Sequence, residues 1–424
     1  MSPTVFSTAF KIYQWCWNLA IPVLYFHGRL KEGFTERTVK KQPSRADLWI
    51  QAASVGEAYL ALEVLSGLNS SGPLRVLLTT NTGQGKEVIE KALRNQEFDI
   101  SNLTVERAFF PFDNPKLMEK AVTAADPRLV VLLESELWPG LLTVCKNKGV
   151  KVLVINGRMT EKSLRYYRLW PTFWRKIRPD RVMAMSDEDA RRFRRLFGTE
   201  VVGKMPNLKF DRISTSPPLA GVQNPLTDLL PPDSLFIVLA SVRQGEEREV
   251  RELISDLLRR HPRVIIGLFP RHMHRIKSWR KRLAGISADW ISRSRLTKPA
   301  NKGQVILWDR MGELSSAYSL ARAVFVGGSL APLGGQNFLE PLVHGIRPVI
   351  GPNWSNFHWV GRQIIDQGLV QEAGDRQECL ALLENDLIQP QDREKNRRYA
   401  LAYFEAYRGG TRIAVAEINS MLDN

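Results

Sequence analysis

Cysteine is scarce in these 424 residues: there are 3, Cys16, Cys145 and Cys379, with no Cys-x-x-Cys spacing. An odd, widely spaced set excludes a disulfide framework and a structural zinc site, and it suits a reducing compartment. The 6 histidines (His27, His261, His272, His274, His344 and His358) form no metal set, and no His-Glu-x-x-His run occurs. The absence of Gly-x-x-x-x-Gly-Lys-Ser/Thr excludes a P-loop nucleotidase. We read no Asp-x-Asp pair of the kind that holds a metal beside a nucleotide sugar, so the expectation is no metal and no cofactor. Repeats and low-complexity tracts are also missing.

Acidic charge is in short supply. Asp plus Glu number 44 against 60 Lys plus Arg, a net charge of +16. That surplus favours an anionic partner: nucleic acid, anionic lipid or a phosphorylated substrate. Zinc-finger spacing and an RNP-type aromatic run are both absent, which sets nucleic acid aside. Hydrophobic residues at 44% and charged residues at 25% are globular values, and the length implies two or three domains.

One long apolar run is present, residues 5–26 (VFSTAFKIYQWCWNLAIPVLYF). It is long enough to cross a bilayer. Lys11 lies inside it and Pro22 near its end, and Tyr13, Trp15, Trp17 and Tyr25 favour a membrane interface. No signal-type cleavage site follows. Arg29, Lys31, Arg37, Lys40 and Lys41 do follow, so the positive-inside rule leaves the body of the protein cytoplasmic. Three readings stand: a single span, an interfacial helix, or a core helix of the first domain. Apolar length and flanking charge favour a membrane anchor, and the cost of Lys11 at mid-bilayer leaves spanning and interfacial placement open. Residues 1–44 are assigned to this anchor and its basic flank.

Short apolar runs then alternate with amphipathic segments. Residues 47–52, 75–80, 128–133, 151–155 and 181–185 read as buried strands, and the pattern is that of a parallel sheet covered on both faces. A polar stretch with two Pro-Pro pairs, residues 214–233, reads as a linker. The rhythm restarts with strand candidates at 235–240, 264–269, 304–307, 323–326 and 348–350, and helix candidates at 247–260, 311–320 and 338–344. The expected fold class is α/β, with Rossmann-like domains at 45–213 and 234–424 facing a cleft. Ligands in such sheets bind beyond the carboxyl ends of the strands.

The motifs cluster at those ends. In Ser54-Val55-Gly56-Glu57 the serine caps a helix, and Glu57 is either a general base or a glutamate that merely complements the helix dipole. Glu134-Ser135-Glu136-Leu137-Trp138-Pro139 carries two carboxylates that point different ways, one toward a ligand and one into the loop, or else caps a helix. Lys209, in Asn207-Leu208-Lys209-Phe210-Asp211, is solvated or neutralises an anion. Ser241-Val242-Arg243-Gln244-Gly245-Glu246-Glu247, Pro270-Arg271-His272 and Met311-Gly312-Glu313-Leu314 follow in the second half. Then come Gly327-Gly328-Ser329-Leu330 and Gly334-Gly335-Gln336-Asn337-Phe338-Leu339-Glu340-Pro341. Glycines let backbone approach a ligand, and helix starts offer amide donors to phosphate.

In this order the motifs resemble the Kdo (3-deoxy-D-manno-octulosonic acid) transferases of the GT-B superfamily, glycosyltransferase family 30. The likeness runs from the apolar helix to about Phe357, including GPNWSNF (351–357). It implies an inverting transfer of Kdo from CMP-Kdo to a lipid A precursor, lipid IVA, in lipopolysaccharide core synthesis at the cytoplasmic face of the inner membrane. It makes Glu57 the proton acceptor, with Glu134 and Lys209 near the transition state. CMP is then held by Pro270, Arg271, Met311, Gly312, Glu313, Asn337, Phe338, Leu339 and Glu340. The implied partners are CMP-Kdo, a phosphorylated lipid and the membrane surface, with no nucleic acid. The chain departs from the family pattern at Gln336, where GGHN is usual, at SVRQGEE where a run like STHxGEE is common, and at Lys204-Met205-Pro206, which looks inserted. Alternatives are another GT-B enzyme using a different nucleotide sugar on a lipid, or a non-catalytic lipid-binding relative.

Overall fold

The computed structural model describes residues 3–68, 72–95, 103–215, 224–232, 234–286 and 288–423. The chain forms two compact units, Met1–Arg212 with Tyr407–Asn424, and Ile213–Ala406.

The first unit is built on a parallel sheet of β1 (Leu48–Ala52), β2 (Leu74–Thr80), β3 (Leu103–Phe109), β4 (Leu129–Leu133), β5 (Lys151–Gly157), β6 (Arg181–Ala184) and β7 (Val202–Lys204). Their spatial order is β3-β2-β1-β4-β5-β6-β7. Every residue of β1 and β4 is buried, as expected for strands covered on both faces. Alternation divides them between two cores: Leu48 and Ile50 face one side, Trp49 the other. Trp49 also donates its indole N–H to Thr79 Oγ1 at 2.8 Å, so its polar end is satisfied inside the core. The chain order reverses at β1, between β2 and β4, which marks the site-forming edge of such a sheet.

Helix α1 (Pro3–Leu24) belongs to this unit, as do α2 (Val55–Ser66) and α3 (Pro139–Lys148). From residue 10 onward α1 turns Tyr13, Trp17, Ile21 and Leu24 inward at helical spacing, while Ile12, Trp15, Leu19 and Val23 are exposed. Among the described residues no helix is long and apolar enough to cross a membrane. Lys11, Gln14 and Asn18 interrupt the apolar character of α1. The expected basic flank also differs in one respect. Arg37 is buried, stacked on the Phe109 ring, with its guanidinium donating to Glu32 O at 3.0 Å and Asn81 O at 2.7 Å.

The second unit holds β8 (Leu235–Val242), β9 (Val264–Pro270), β10 (Asp289–Ser292), β11 (Gln304–Leu307), β12 (Ala323–Val326), β13 (Val349–Ile350) and β14 (Gln371–Glu372), in the order β10-β11-β9-β8-β12-β13-β14. Helix α4 (Glu247–Arg260) buries Val250, Leu253, Ile254 and Leu257 at i, i+3, i+4 and i+7 against this sheet. Here the order reverses at β8.

The expected boundary at the carboxyl end is corrected. The sequence reading gives 234–424 to the second domain, yet the terminal helix Gly410–Asp423 packs on the first. Its buried stripe of Ala414, Ile418 and Leu422 completes the core around Leu48 and Ile50. Asp211 fixes its start by accepting from the Gly409 and Thr411 amides at 2.8 and 2.6 Å. Within the expected linker, residues 216–223 and 233 lie outside the described residues. Asn224 is anchored on Ser316 O and Ser319 Oγ.

Candidate active site

In the first unit the ends of β1, β4 and β5 and the segment after β7 bring three predicted motifs together. Ser54 caps α2, and its Oγ accepts from Glu57 N at 3.3 Å. Glu57 folds back over the helix start in return. Its Oε1 accepts from Ser54 Oγ at 2.9 Å and its Oε2 from Ala53 N at 2.8 Å. These bonds hold the Glu57 carboxylate half-buried in the first turn of α2, at the strand end. Desolvation pushes the Glu57 carboxyl up to about 7; the Ala53 amide opposes the rise, and the nearby Glu134 and Glu136 add to it. This is where a general base for neutral pH titrates.

Glu134 directly follows β4 at a φ of 54°, a left-handed backbone that costs a non-glycine residue about 1 kcal/mol or more. Its Oε1 lies 2.8 Å from Lys209 Nζ, which joins two motifs 75 residues apart in sequence. Asn207 Oδ1 accepts from Lys209 N at 3.0 Å, and Asn156 Oδ1 from Leu208 N at 3.1 Å. Asn156 is buried and also left-handed, so it clamps the Lys209 turn to the end of β5. Glu136 points the other way: it accepts from Trp138 Nε1 at 2.7 Å and is bonded by Gln51. Burial raises its carboxyl too. The sequence carried the pair of glutamates but gave no sign of Gln51 or Asn156, which come from other strands.

The second unit offers a different surface. Glu246 is fully buried and accepts from four main-chain amides: Arg243 at 3.0 Å, Ser329 at 3.1 Å, Leu330 at 3.3 Å, and Gly328. It ties the end of β8 to the glycine loop after β12. Gly327 allows this, since a Cβ there would stand 2.6 Å from Glu246 Oε1. Its neighbour Glu247, also buried, pairs with Arg275 at 2.7 Å and Arg282 at 3.1 Å. Neither carboxylate was singled out from sequence, although both stand in the quoted run.

Arg271 is exposed beyond β9 and donates Nε–H to Gln336 Oε1 at 2.9 Å. Gln336 and Arg243 both crowd Gly328, each with a side-chain carbon 3.2 Å from where a Cβ would stand. Asn337 Nδ2 donates to Glu340 Oε1 at 2.9 Å, and both side chains are exposed. Met311 and Gly312 are exposed as well, and Gly312 is left-handed at 86°. Three of the residues expected to hold CMP have side chains engaged within the unit. Phe338 is fully buried between the Trp354 and Phe357 rings, and Leu339 is buried behind it. Glu313 is held by Arg293 and by the Trp308 indole, each at 2.8 Å. Its carboxylate is spent on bracing the turn. These three side chains shape the loop.

The expected lack of an Asp-x-Asp pair also needs revision, because Asp187-Glu188-Asp189 is one. It forms the first turn of the helix Asp187–Phe197. Asp189 is buried on Ser186 and the Met159 amide, and Asp187 pairs with Lys204 at 2.7 Å. Asp189 is thus tied to the cap of that helix and Asp187 to β7.

With this geometry in hand, relatives give it a family. Residues 27–212 match the family of 3-deoxy-D-manno-octulosonic-acid transferases (kdotransferases). The 3-deoxy-D-manno-octulosonic acid transferase of Bordetella pertussis is 30% identical over 382 residues, 87% of this chain and 86% of that one. The chain belongs to the Kdo transferase family. The corresponding transferase of Haemophilus influenzae is 28% identical over 336 residues, 78% of this chain and 76% of its own. A solved UDP-N-acetylglucosamine 2-epimerase covers 89% of the transferase and 96% of its own chain, with a TM-score of 0.56 at 11% identity. That likeness is one of fold alone, a GT-B-like pair of parallel-sheet α/β units. In the transferase, the motifs quoted from sequence all sit at carboxyl ends of strands, where this fold makes its sites.

Proposed function

We propose that the transferase moves Kdo from CMP-Kdo to a hydroxyl of a phosphorylated lipid A precursor, lipid IVA, with inversion at the anomeric carbon. Glu57 takes the proton of the acceptor hydroxyl as its oxygen bonds to the anomeric carbon. The bond from that carbon to the phosphate oxygen breaks, and CMP leaves with the electron pair. CMP is an acidic leaving group, so the donor side needs anion stabilisation and no protonating acid. The acceptor alcohol needs a base. Glu134, held by Lys209, supplies negative charge for a sugar that becomes cationic in the transition state. The second unit holds the nucleotide: Arg271 for the phosphate, Glu340 for the ribose, and the backbone of Gly312, Asn337 and the glycine loop. No metal and no cofactor enters this scheme.

The observation that carries the reading is the Glu57 carboxylate, held at the end of β1 and pushed up to about 7 beside Glu134 and Glu136. The test is Glu57→Gln in a mass-spectrometric assay with CMP-Kdo and lipid IVA. Turnover should disappear while CMP still raises the melting temperature. Product at the parent rate would remove Glu57 from the chemistry. Stronger protection by UDP than by CMP would point to another nucleotide sugar.

The reading extends to location. The exposed Ile12, Trp15, Leu19, Val23 and Phe26 form one stripe along and just past α1, near Lys11, Arg29 and Lys31. Such a helix lies in a bilayer interface. The stripe supports a transferase bound at the cytoplasmic face of the inner membrane, with α1 lying in the surface. Flotation with anionic vesicles should capture the parent and not a Trp15→Glu, Leu19→Glu variant.

A further inference from the structure

Helix α1 reaches the loop Phe112-Asp113-Asn114 of its unit through three residues. Tyr13 donates its hydroxyl to Asp113 Oδ2 at 2.8 Å, Asn114 Nδ2 donates to Asn18 Oδ1 at 2.8 Å, and the Trp17 ring lies 5.8 Å from that of Phe112. The Asp113 carboxylate is buried and takes two further donors. These are the amides of Gly140, at 2.7 Å to Oδ2, and Leu141, at 2.8 Å to Oδ1.

Those two amides are free donors of the first turn of α3. The residue that should cap them, Trp138, has no side chain able to do so, and Pro139 has no N–H at all. The cap comes instead from Asp113, a distant residue. Gly140 is what admits it: a Cβ there would stand 2.5 Å from Asp113 O and 2.7 Å from its Oδ1. Immediately before this capped turn runs the segment with Glu134 and Glu136, and Glu136 is bonded to Trp138 itself.

We infer that Asp113 is a positioning residue for the Glu134–Trp138 segment, and that Tyr13 makes helix α1 a working part of the site as well as an attachment. If Asp113 releases the start of α3, the two glutamates lose their fixed place beside Glu57. Displacement of about 1 Å at such a point is enough to cost on the order of a hundredfold in rate. The inference rests on the catalytic reading above.

The test uses the full chain in detergent micelles with dispersed lipid IVA, so that membrane binding does not limit the rate. In Asp113→Asn the amide group turns a donor toward the donors of Gly140 or Leu141. Its kcat should fall roughly 10- to 100-fold, with the KM for CMP-Kdo within about twofold of the parent. The acidic limb of its pH–rate profile should move to lower pH, because displaced carboxylates no longer raise Glu57. Tyr13→Phe should shift kcat and the limb the same way by a smaller amount, roughly threefold in rate. A role confined to stability would lower the melting temperature of both variants and leave kcat and the limb as in the parent, and that result overturns the inference. Should Asp113→Asn fail to fold, Tyr13→Phe decides by the same two readouts. Glu57→Gln is assayed beside them. If it is inactive while Asp113→Asn and Tyr13→Phe behave as the parent, only the positioning role is lost; if it is active, the catalytic reading itself fails.

Discussion

The two units share one plan and use charge in opposite ways. In each, a parallel sheet reverses its strand order at the first strand, and the motifs gather where that strand and its neighbour end. In the first unit the carboxylates of Glu57 and Glu134 stand near one another there, Glu134 paired with Lys209, while Glu136 turns to Trp138 and adds charge from behind. In the second unit the carboxylate at the equivalent strand end, Glu246, is turned inward onto four amides, and Arg271 is left on the surface. The lesson is that position at a switch point does not decide a carboxylate's job. Burial and partners do: both carboxyls are raised by burial, but Glu57 stays reachable while Glu246 becomes a brace for the glycine loop.

The comparison breaks most readily at Glu57. Glu57→Gln should lower kcat by at least ~10³-fold, within the range for removal of a positioned general base, and leave CMP protection intact. It should also separate activity from stability. Burial holds the folded carboxyl above its unfolded value of 4.5, so its stabilising share is complete below pH 4.5 and lost as pH rises through about 7. The inactive Glu57→Gln protein should therefore melt higher than the parent at pH 8, with no advantage at pH 4.5. Equal melting at pH 8 would show that the carboxyl is less desolvated than its surroundings imply.

The matching change in the second unit is Glu246→Gln. It keeps the size and replaces one acceptor oxygen with a donor amid four amides. Leaving buried donors unpaired costs about 1–3 kcal/mol each. The loop should loosen, raising the KM for CMP-Kdo roughly tenfold or more and weakening thermal protection by CMP. The acidic limb of the pH profile should stay where it is. A changed limb with unchanged donor KM would mean that the two units do not divide the work in this way.

The pH profile sharpens the same division without mutation. Glu57 acts as a carboxylate, so kcat/KM should fall tenfold per pH unit below about 7 and level off above it. In Glu246→Gln the same limb should persist at lower amplitude.

Much of this was legible in the chain. The buried strands wrote themselves as unbroken Val, Ile and Leu runs, and residues 304–307, 323–326 and 247–260 fall where the pattern put them. β3 escaped because it is an edge strand whose Glu106 and Arg107 interrupt the apolar run. The terminal helix was misassigned because its apolar stripe says that it packs, not on which sheet. For the site, residue types at strand ends were readable. What was not readable is which way each side chain turns: Glu313 and Phe338 look like ligand contacts in a motif, and only packing shows them spent on Arg293 and Trp354. Asp113 and Gln51 carry no motif at all, since their value lies in partners far along the chain.

The smallest effect is expected at Gln336, where the family pattern usually has histidine. Its Oε1 accepts from Arg271, so it aims a guanidinium that is otherwise exposed, and it does so at every pH. Gln336→His substitutes a ring that accepts when neutral and becomes a cation below about 6.5. At pH 8 the variant should bind CMP-Kdo within about threefold of the parent. At pH 6 the protonated ring no longer accepts from Arg271 but adds a positive charge of its own near the donor phosphate. The KM for the donor should therefore acquire a pH dependence of roughly 2- to 5-fold between pH 6 and 8, which the parent lacks, whereas the Glu57 limb in kcat stays fixed. A parent whose donor KM already varies over that range would show that some other group in the second unit titrates against the phosphate. His272 would then be the first to replace, since it stands next to Arg271 and its ring is held below its ordinary value by desolvation and that neighbouring guanidinium.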